Sequence, residues 1–223
     1  MKYFEMDPMG IRMLSRVEEF IPYHPALASK LLGAEIQGLM SELMGESAIL
    51  FKEKINFKLP GGKGFPPHQD APAFTPFGQN YHITGMISVD ATTPENGCLE
   101  LVRGRHREGM LSCEDDGSLT KSVVDALFWE TVTTQPGDLL LFDSYVPHRS
   151  GPNLTQGPRR AYYITFNRLS EGDRRAKYYQ DKRENFPTEI ERLSAFLFES
   201  LREWSTEGAT TEKDQDPDKN RDL

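Results

Sequence analysis

Between residues 48 and 168 the chain runs as short segments rich in β-branched and aromatic residues, each cut off by a turn cluster, with no helical stretch between them. The segments are 49–59, 81–89, 98–102, 128–133, 138–142 and 160–166. Pro60-Gly61-Gly62, Glu95-Asn96-Gly97, Gln135-Pro136-Gly137-Asp138 and Gly151-Pro152-Asn153 separate them, and each cluster either fixes φ or tolerates positive φ. Many short strands in succession cannot make a parallel sheet, which needs crossover helices. The fold class expected is therefore mainly β with flanking helices, an antiparallel sandwich or barrel of the jelly-roll, cupin-like kind.

The flanks read differently. Over 9–46, apolar residues at Ile11, Leu14, Val17 and Phe20–Ile21, then Leu27, Leu31–Leu32, Ile36, Leu39–Met40 and Leu43, recur near helical spacing. Pro25 suits the first turn of a second helix in this span. Met40 and Met44, four apart, read as core rather than as a ligand pair. A C-terminal helix is expected over 187–205, capped by Thr188, with Ile190, Leu193, Phe196–Leu197, Leu201 and Trp204 as a stripe that covers a sheet face. Residues 206–223 carry no such stripe and read as a disordered tail. The expectation is a single domain over 1–205, with its jelly-roll core at 48–168.

With 223 residues there is room for one substantial core. A formal net charge of −8 argues against a nucleic-acid partner, whose binding proteins need a basic footprint. No apolar run approaches the roughly 20 residues of a membrane span. The opening MKYFEMDPMG has no signal-peptide core and no myristoylation glycine, and the closing RDL is not a peroxisomal address. Cys98 and Cys113 are too few for a disulfide framework and read as thiols. These features together lead us to expect a cytoplasmic monomer or homodimer acting on a small molecule.

His68-Gln69-Asp70 is the first chemical signal. In an extended segment, residues two apart face the same side, so an imidazole and a carboxylate converge while Gln69 turns away. Two histidines and one carboxylate form the facial set that holds non-haem iron(II) and leaves positions open for substrate and oxygen. His148 supplies the second histidine, after the apolar strand ending at Phe142. Arg159 follows eleven residues later. A hairpin closing near Asn153 and Leu154 would set positions 148 and 159 opposite each other, on one face. The planar guanidinium fork suits a dicarboxylate.

The motifs HQD (68–70), ENGCLELVRGRHR (95–107), PGDLLLFDSYVPHRSGPN (136–153) and PRRAYYITFN (158–167) resemble the phytanoyl-CoA dioxygenase-like family of 2-oxoglutarate oxygenases. The resemblance spans about residues 48–182. It implies a double-stranded β-helix, with iron(II) held by His68, Asp70 and His148 and with O2 as co-substrate. It also implies that Arg159 binds the distal carboxylate of 2-oxoglutarate, aided by the Ser150 hydroxyl. The implied reaction hydroxylates an unactivated C–H bond and releases succinate and CO2. Asp70 sets the chain apart from halogenating relatives, which carry a small residue there. KINFKLPGG (54–62) and SEGDRRAKYYQDKR (170–183) are similar to bacterial and fungal members linked to phosphonate or small-amine hydroxylation. The family also leads one to expect a further strand and helix ahead of this segment, without which a sheet edge would stand uncovered.

Strand parity places Lys54, Asn56 and Lys58 on one face. The reading assigns Lys54, Thr84 and Met86 to the cofactor, and Lys58, Asn56, Gln69 and Phe74 to the substrate. His24, His82 and His106 read as structural. The glycines of GGKGF lack the Gly-Lys-Ser/Thr and helix start of a phosphate loop, so they read as a turn. Arg103, Arg105, Arg107, Arg149 and Arg160 make either a solvated face or a field that steers an anionic substrate. Two rival readings remain at this point. One is a cupin-like isomerase or hydrolase that does not use 2-oxoglutarate, against which Arg159 argues. The other is a catalytically silent binding module, against which the costly intact ligands argue.

Overall fold

A computed structural model describes residues 1–194. The chain through Asp181 forms one compact unit and the chain from Lys182 onward a second. Ten strands among the described residues, all in the first unit, make two antiparallel sheets. The larger runs in the order β1 (Lys2–Met6), β2 (Arg12–Glu18), β3 (Ala48–Lys58), β10 (Arg159–Arg168), β5 (His82–Ser88), β8 (Leu139–Asp143). The smaller has the order β4 (Phe65–His68), β9 (His148–Ser150), β6 (Leu99–Leu101), β7 (Glu130–Val132). Met86 of β5 and Tyr163 of β10 pack against Leu99 of β6 with Phe142 and Val146, so the inner faces of the two sheets share a core. This is the expected jelly roll.

Alternation decides which face each residue takes. On β10, Ile164 and Phe166 point outward, where they join Ile83, Phe20 and Leu31. Helices α1 (Pro25–Leu31) and α2 (Ala34–Met44) cover this outer face, with Met40 and Met44 in its core as the sequence suggests. Gly85 allows the close approach, because a β-carbon there would stand 2.9 Å from Met40 Cε. On the inner face, the β3–β10 ladder sets Lys58 beside Arg159, Asn56 beside Ala161, Lys54 beside Tyr163 and Lys52 beside Thr165. The register then slips, leaving Phe51 as an extra residue. Phe51 closes one end of the interior with Phe74, Phe77, Tyr178 and Tyr179, the tyrosines coming from α5 (Arg175–Asn185).

The N-terminal reading needs correction. Residues 12–18 form β2 instead of a helix, paired with β1 and β3. Apolar residues three apart at Ile11, Leu14 and Val17 imitate a helical stripe, but ladder hydrogen bonds to β3 override that local pattern. Helices begin only at Pro25. The same hairpin covers the β3 edge that was expected to stand open.

Two short helices, α3 (Ala71–Phe74) and α4 (Lys121–Ala126), lie in the connections. At Thr188, reciprocal contacts between its backbone N–H and the Glu191 carboxylate (2.7 Å) and between the Glu191 N–H and its hydroxyl (3.4 Å) make the cap expected there. The rest of the expected helix, past residue 194, and the expected tail fall outside the described residues. No helix among the described residues is long and apolar enough to cross a membrane.

Candidate active site

His68 ends β4 and His148 opens β9, and the two are paired directly across the small sheet. Their rings lie 4.2 Å apart between centroids. Asp70 arrives by a different route from the one expected. The strand stops at His68, and Asp70 adopts helical backbone angles as the residue that leads into α3. Its carboxylate still returns to the histidines, with Oδ1 4.0 Å from His68 Nε2. Ligand atoms of His68, Asp70 and His148 all lie within 4.8 Å of one another, the sole such cluster among the described residues.

One turn, residues 144–146 between β8 and β9, orients Asp70 and His148. The Ser144 carbonyl accepts the backbone N–H groups of Asp70 and Ala71, both at 3.0 Å. The Val146 carbonyl lies 3.0 Å from His148 Nδ1. Gln69 is pinned to the same turn, its amide donating to the Tyr145 carbonyl (2.7 Å) and the Gly109 carbonyl (2.9 Å) while its oxygen accepts the Leu111 N–H. The Pro66 carbonyl lies 2.7 Å from His68 Nδ1. With each Nδ1 proton held by a carbonyl, both Nε2 lone pairs are left for a metal. Burial and the neighbouring His68 push the His148 pKa down to about 4, which keeps the ring neutral as a ligand must be. Burial acts to raise the Asp70 pKa, but electrostatic attraction to its neighbours His148, Lys52, His68 and Lys54 outweighs it and holds the carboxyl well below its usual range. Two imidazoles and one carboxylate in this arrangement fit iron(II).

The arginine expected to anchor a dicarboxylate lies further along the inner face. Arg159 is 1% exposed, and its Nε and Nη2 have no hydrogen-bond partner. Beside it, Lys58 Nζ donates to Ser150 Oγ (2.8 Å), the Gly151 carbonyl (2.6 Å) and the Gly97 carbonyl (3.2 Å). Burial, then the adjacent Arg159 charge, push the Lys58 pKa down to about 7. Buried donors without acceptors are costly, and a carboxylate of 2-oxoglutarate would satisfy them. Arg159 does not reach this place by the expected hairpin. β9 pairs with β4 and β6 while β10 pairs with β3 and β5, so residues 148 and 159 lie on facing sheets. Asn153 shapes the crossover, donating to the carbonyls of Lys58 and Gly157.

A pocket lined by Lys54, Asn56, Phe65, His68, Leu99, His148, Arg149 and Tyr163 opens onto the ligands. Of the residues assigned from sequence, only His68, His148, Lys54 and Asn56 line it, and four of the others are engaged elsewhere. Thr84 bonds to the Thr165 hydroxyl at 2.9 Å, and Met86 is buried in the core between the sheets. Gln69 spends its whole amide on backbone groups, and Phe74 sits in the aromatic plug. Strand parity gives a residue's face but not its depth. Of the two readings of the arginines, the pairing favours a solvated face: Arg103 pairs with Glu130, Arg105 with Glu108, Arg149 with Glu100 and Arg160 with Asp90. His82 is structural as expected, wedged between Phe51 and Phe74. Lys52 escaped notice, although it shares the parity of Lys54 and Lys58. It is buried against Tyr178 and Phe74. A larger apolar hollow near Leu43, Tyr81, Leu141 and Val146 contains none of the metal ligands.

Residues 13–161 match the sequence profile of the phytanoyl-CoA dioxygenase (PhyH) family. The chain is 57% identical over 194 residues to the 2-aminoethylphosphonate dioxygenase of uncultured bacterium HF130_AEPn_1, an overlap covering 86% of this chain and 74% of that one. It is 49% identical over 186 residues to the methylphosphonate hydroxylase of Gimesia maris, covering 83% and 70%. Among solved structures, EctD from S. alaskensis with 2-oxoglutarate and 5-hydroxyectoine superposes with a TM-score of 0.65 at 23% identity. That match covers 71% of this chain and spans 57% of the EctD chain, and it speaks to the fold.

Two tests follow from this geometry. His148 and His82 both have pKa values lowered to about 4, the latter by burial and then the Lys52 charge. Above pH 6.5 neither state binds these protons. Below it the unfolded chain takes them up and the folded chain refuses them until about pH 4, so stability falls with pH across that window. Denaturant titrations of metal-free protein should lose stability from pH 6.5 to 4.5, up to about 3 kcal/mol per histidine, and His82→Gln should flatten the profile. A wild-type profile flat over that range would contradict this. Second, Gln69→Leu should weaken iron(II) binding about 10- to 100-fold in anaerobic titration, because it frees the turn that aims the ligands. Unchanged affinity would show that the clamp is irrelevant.

Proposed function

The chain belongs to the phytanoyl-CoA dioxygenase family of iron(II)- and 2-oxoglutarate-dependent oxygenases, and on that premise we propose that it hydroxylates a small organophosphonate. The enzyme class and the cofactors iron(II), 2-oxoglutarate and O2 follow from the family and its dioxygenase relatives. The observation that carries the reading is the pairing of a His68–Asp70–His148 cluster with a buried Arg159 whose guanidinium lacks an acceptor. A cupin-like isomerase or hydrolase has no use for that second feature.

His68, Asp70 and His148 would hold the iron, and Arg159 with Lys58 and Ser150 the distal carboxylate of 2-oxoglutarate. When bound, these cofactors supply the oxidising power that turns a C–H bond and O2 into an alcohol, with release of succinate and CO2. The protein's part is positioning and exclusion. Pro66 and Val146 hold the imidazole protons away from the metal side. Tyr163, Leu99 and Phe65 wall the pocket with apolar surface and keep water from the reacting carbon.

A phosphonate substrate is supported by the two relatives whose names specify phosphonates and by the excess of cationic side chains on the β3 face. A cytoplasmic location, a monomeric or homodimeric state and the absence of a nucleic-acid partner belong to the same proposal and rest on composition and charge.

With iron(II) and 2-oxoglutarate under anaerobic conditions the protein should develop a weak visible charge-transfer band. Methylphosphonate or 2-aminoethylphosphonate should then stimulate succinate release in air. Arg159→Leu should weaken 2-oxoglutarate binding on the order of 100-fold while leaving iron affinity nearly intact. No band and no succinate would refute the reading, and equal 2-oxoglutarate affinity in the variant would place the anchor elsewhere.

A further inference from the structure

β3 presents Lys52, Asn56 and Lys58 to the interior together with Lys54, and the four are not equivalently satisfied. Lys52 donates to the Tyr178 hydroxyl at 3.3 Å and lies over the Phe74 ring. Lys58 has three acceptors in Ser150, Gly151 and Gly97. Lys54 has neither a hydrogen-bond acceptor nor a carboxylate within ion-pair distance among the described residues. It has only the ring faces of Tyr163 and Phe65, at 5.0 and 6.0 Å. Asn56, 4% exposed, has an amide oxygen without a partner. Both side chains line the pocket that contains His68 and His148.

We propose that Lys54 and Asn56 form the seat for the substrate's phosphonate group, a subsite separate from the Lys58–Arg159 anchor. The inference rests on the phosphonate reading above and says which residues recognise that group.

Chemistry fixes where such a seat must be. In methylphosphonate the only C–H bonds are on the carbon bonded to phosphorus, so the anionic oxygens sit two bonds from the carbon that is hydroxylated. The cation that binds them has to face the metal ligands directly. Lys54 does so. Lys58 lies four residues further along the same strand face, roughly 13 Å away by strand rise, next to Arg159. That spacing lets two anions lie end to end without sharing a cation.

The groups around Lys54 also leave it without a counter-ion. Lys52 on its own strand and Arg16 on β2 carry positive charge. Glu18 on β2 is engaged by Arg16 at 2.8 Å, and Asp70 belongs to the metal cluster. Burial, followed by the Lys52 charge, brings the Lys54 pKa down to about 7. A phosphonate would supply the missing negative charge; the orphaned Asn56 Oδ1 can only accept, so it would take the proton of a singly protonated phosphonate oxygen. Tyr163 and Phe65 give the short alkyl portion an apolar wall.

The test compares Lys54→Met, Lys54→Arg and Lys58→Met, each loaded anaerobically with iron(II). 2-Oxoglutarate affinity is read from the charge-transfer band, and methylphosphonate affinity from phosphorus NMR and the band's perturbation. Lys54→Met should bind methylphosphonate about 100-fold more weakly and bind 2-oxoglutarate within about 2-fold of wild type. Lys54→Arg should recover part of the phosphonate affinity. Without ligands Lys54→Met should melt higher than wild type, because an unpaired, partly buried ammonium has been removed, and this checks that it folds. Lys58→Met should show the reverse pattern, with 2-oxoglutarate weakened. Loss of 2-oxoglutarate binding with intact phosphonate binding in Lys54→Met would overturn the assignment. If wild type gives the 2-oxoglutarate band yet binds no phosphonate, the seat and the substrate reading fall together while the cofactor reading stands.

Discussion

The interior of this barrel holds more positive charge than it can neutralise. Lys52, Lys54, Lys58 and Arg159 face inward from two neighbouring strands, where the clearly inward carboxylates are Asp70, in the metal cluster, and Glu18, paired with Arg16. Lysine and arginine are rarely buried without partners, because desolvation costs several kcal/mol per ion. In the proposed function these inward charges meet the anions of cofactor and substrate. The lowered pKa values of Lys54 and Lys58 are the same constraint seen from the proton's side. Metal, dicarboxylate and phosphonate together would convert an unfavourable empty interior into a balanced one.

The scaffold tolerates this strain because its two sheets divide the labour. The small sheet carries His68 and His148 on directly paired strands; the turn at 144–146 fixes His148 and Asp70 through backbone carbonyls, and the Pro66 carbonyl holds His68. The large sheet carries the cations on β3 and β10, whose ladder runs through ten pairs with one slip. α1 and α2 seal its outer face with Met40, Met44 and Leu31. Glu53, fully buried, ties the start of α5 to β3 through Arg175. Metal geometry is thus set by short strands and a turn, whereas anion spacing is set by a long, rigid strand pair.

Much of this was legible in the sequence, for physical reasons. His68, Asp70, His148 and Arg159 announce themselves by residue type, since few structural roles need an imidazole, a carboxylate and a guanidinium among so many apolar strands. The segments 49–59, 81–89 and 160–166 read correctly because β-branched residues and turn clusters mark both ends. Residues 12–18 misled because three-residue spacing serves a helix and a half-buried strand alike. The 148–159 relation misled because a chain leaving Ser150 can change sheets at Gly151-Pro152-Asn153, and local spacing cannot show which sheet it joins. Thr84 and Met86 were placed by parity, which says nothing of which neighbour already holds the side chain. Lys52 was overlooked, although the alternation of KEKINFK contains it.

The central claim is that the inward cations are binding sites for two distinct anions. Its most direct test is an anaerobic crystal structure with iron(II), 2-oxoglutarate and methylphosphonate. The account expects the distal carboxylate within hydrogen-bonding distance of Arg159 and Lys58, and phosphonate oxygens on Lys54 Nζ beside the His68–Asp70–His148 metal. A dicarboxylate held by Lys54, or a phosphonate bound away from β3, would contradict it.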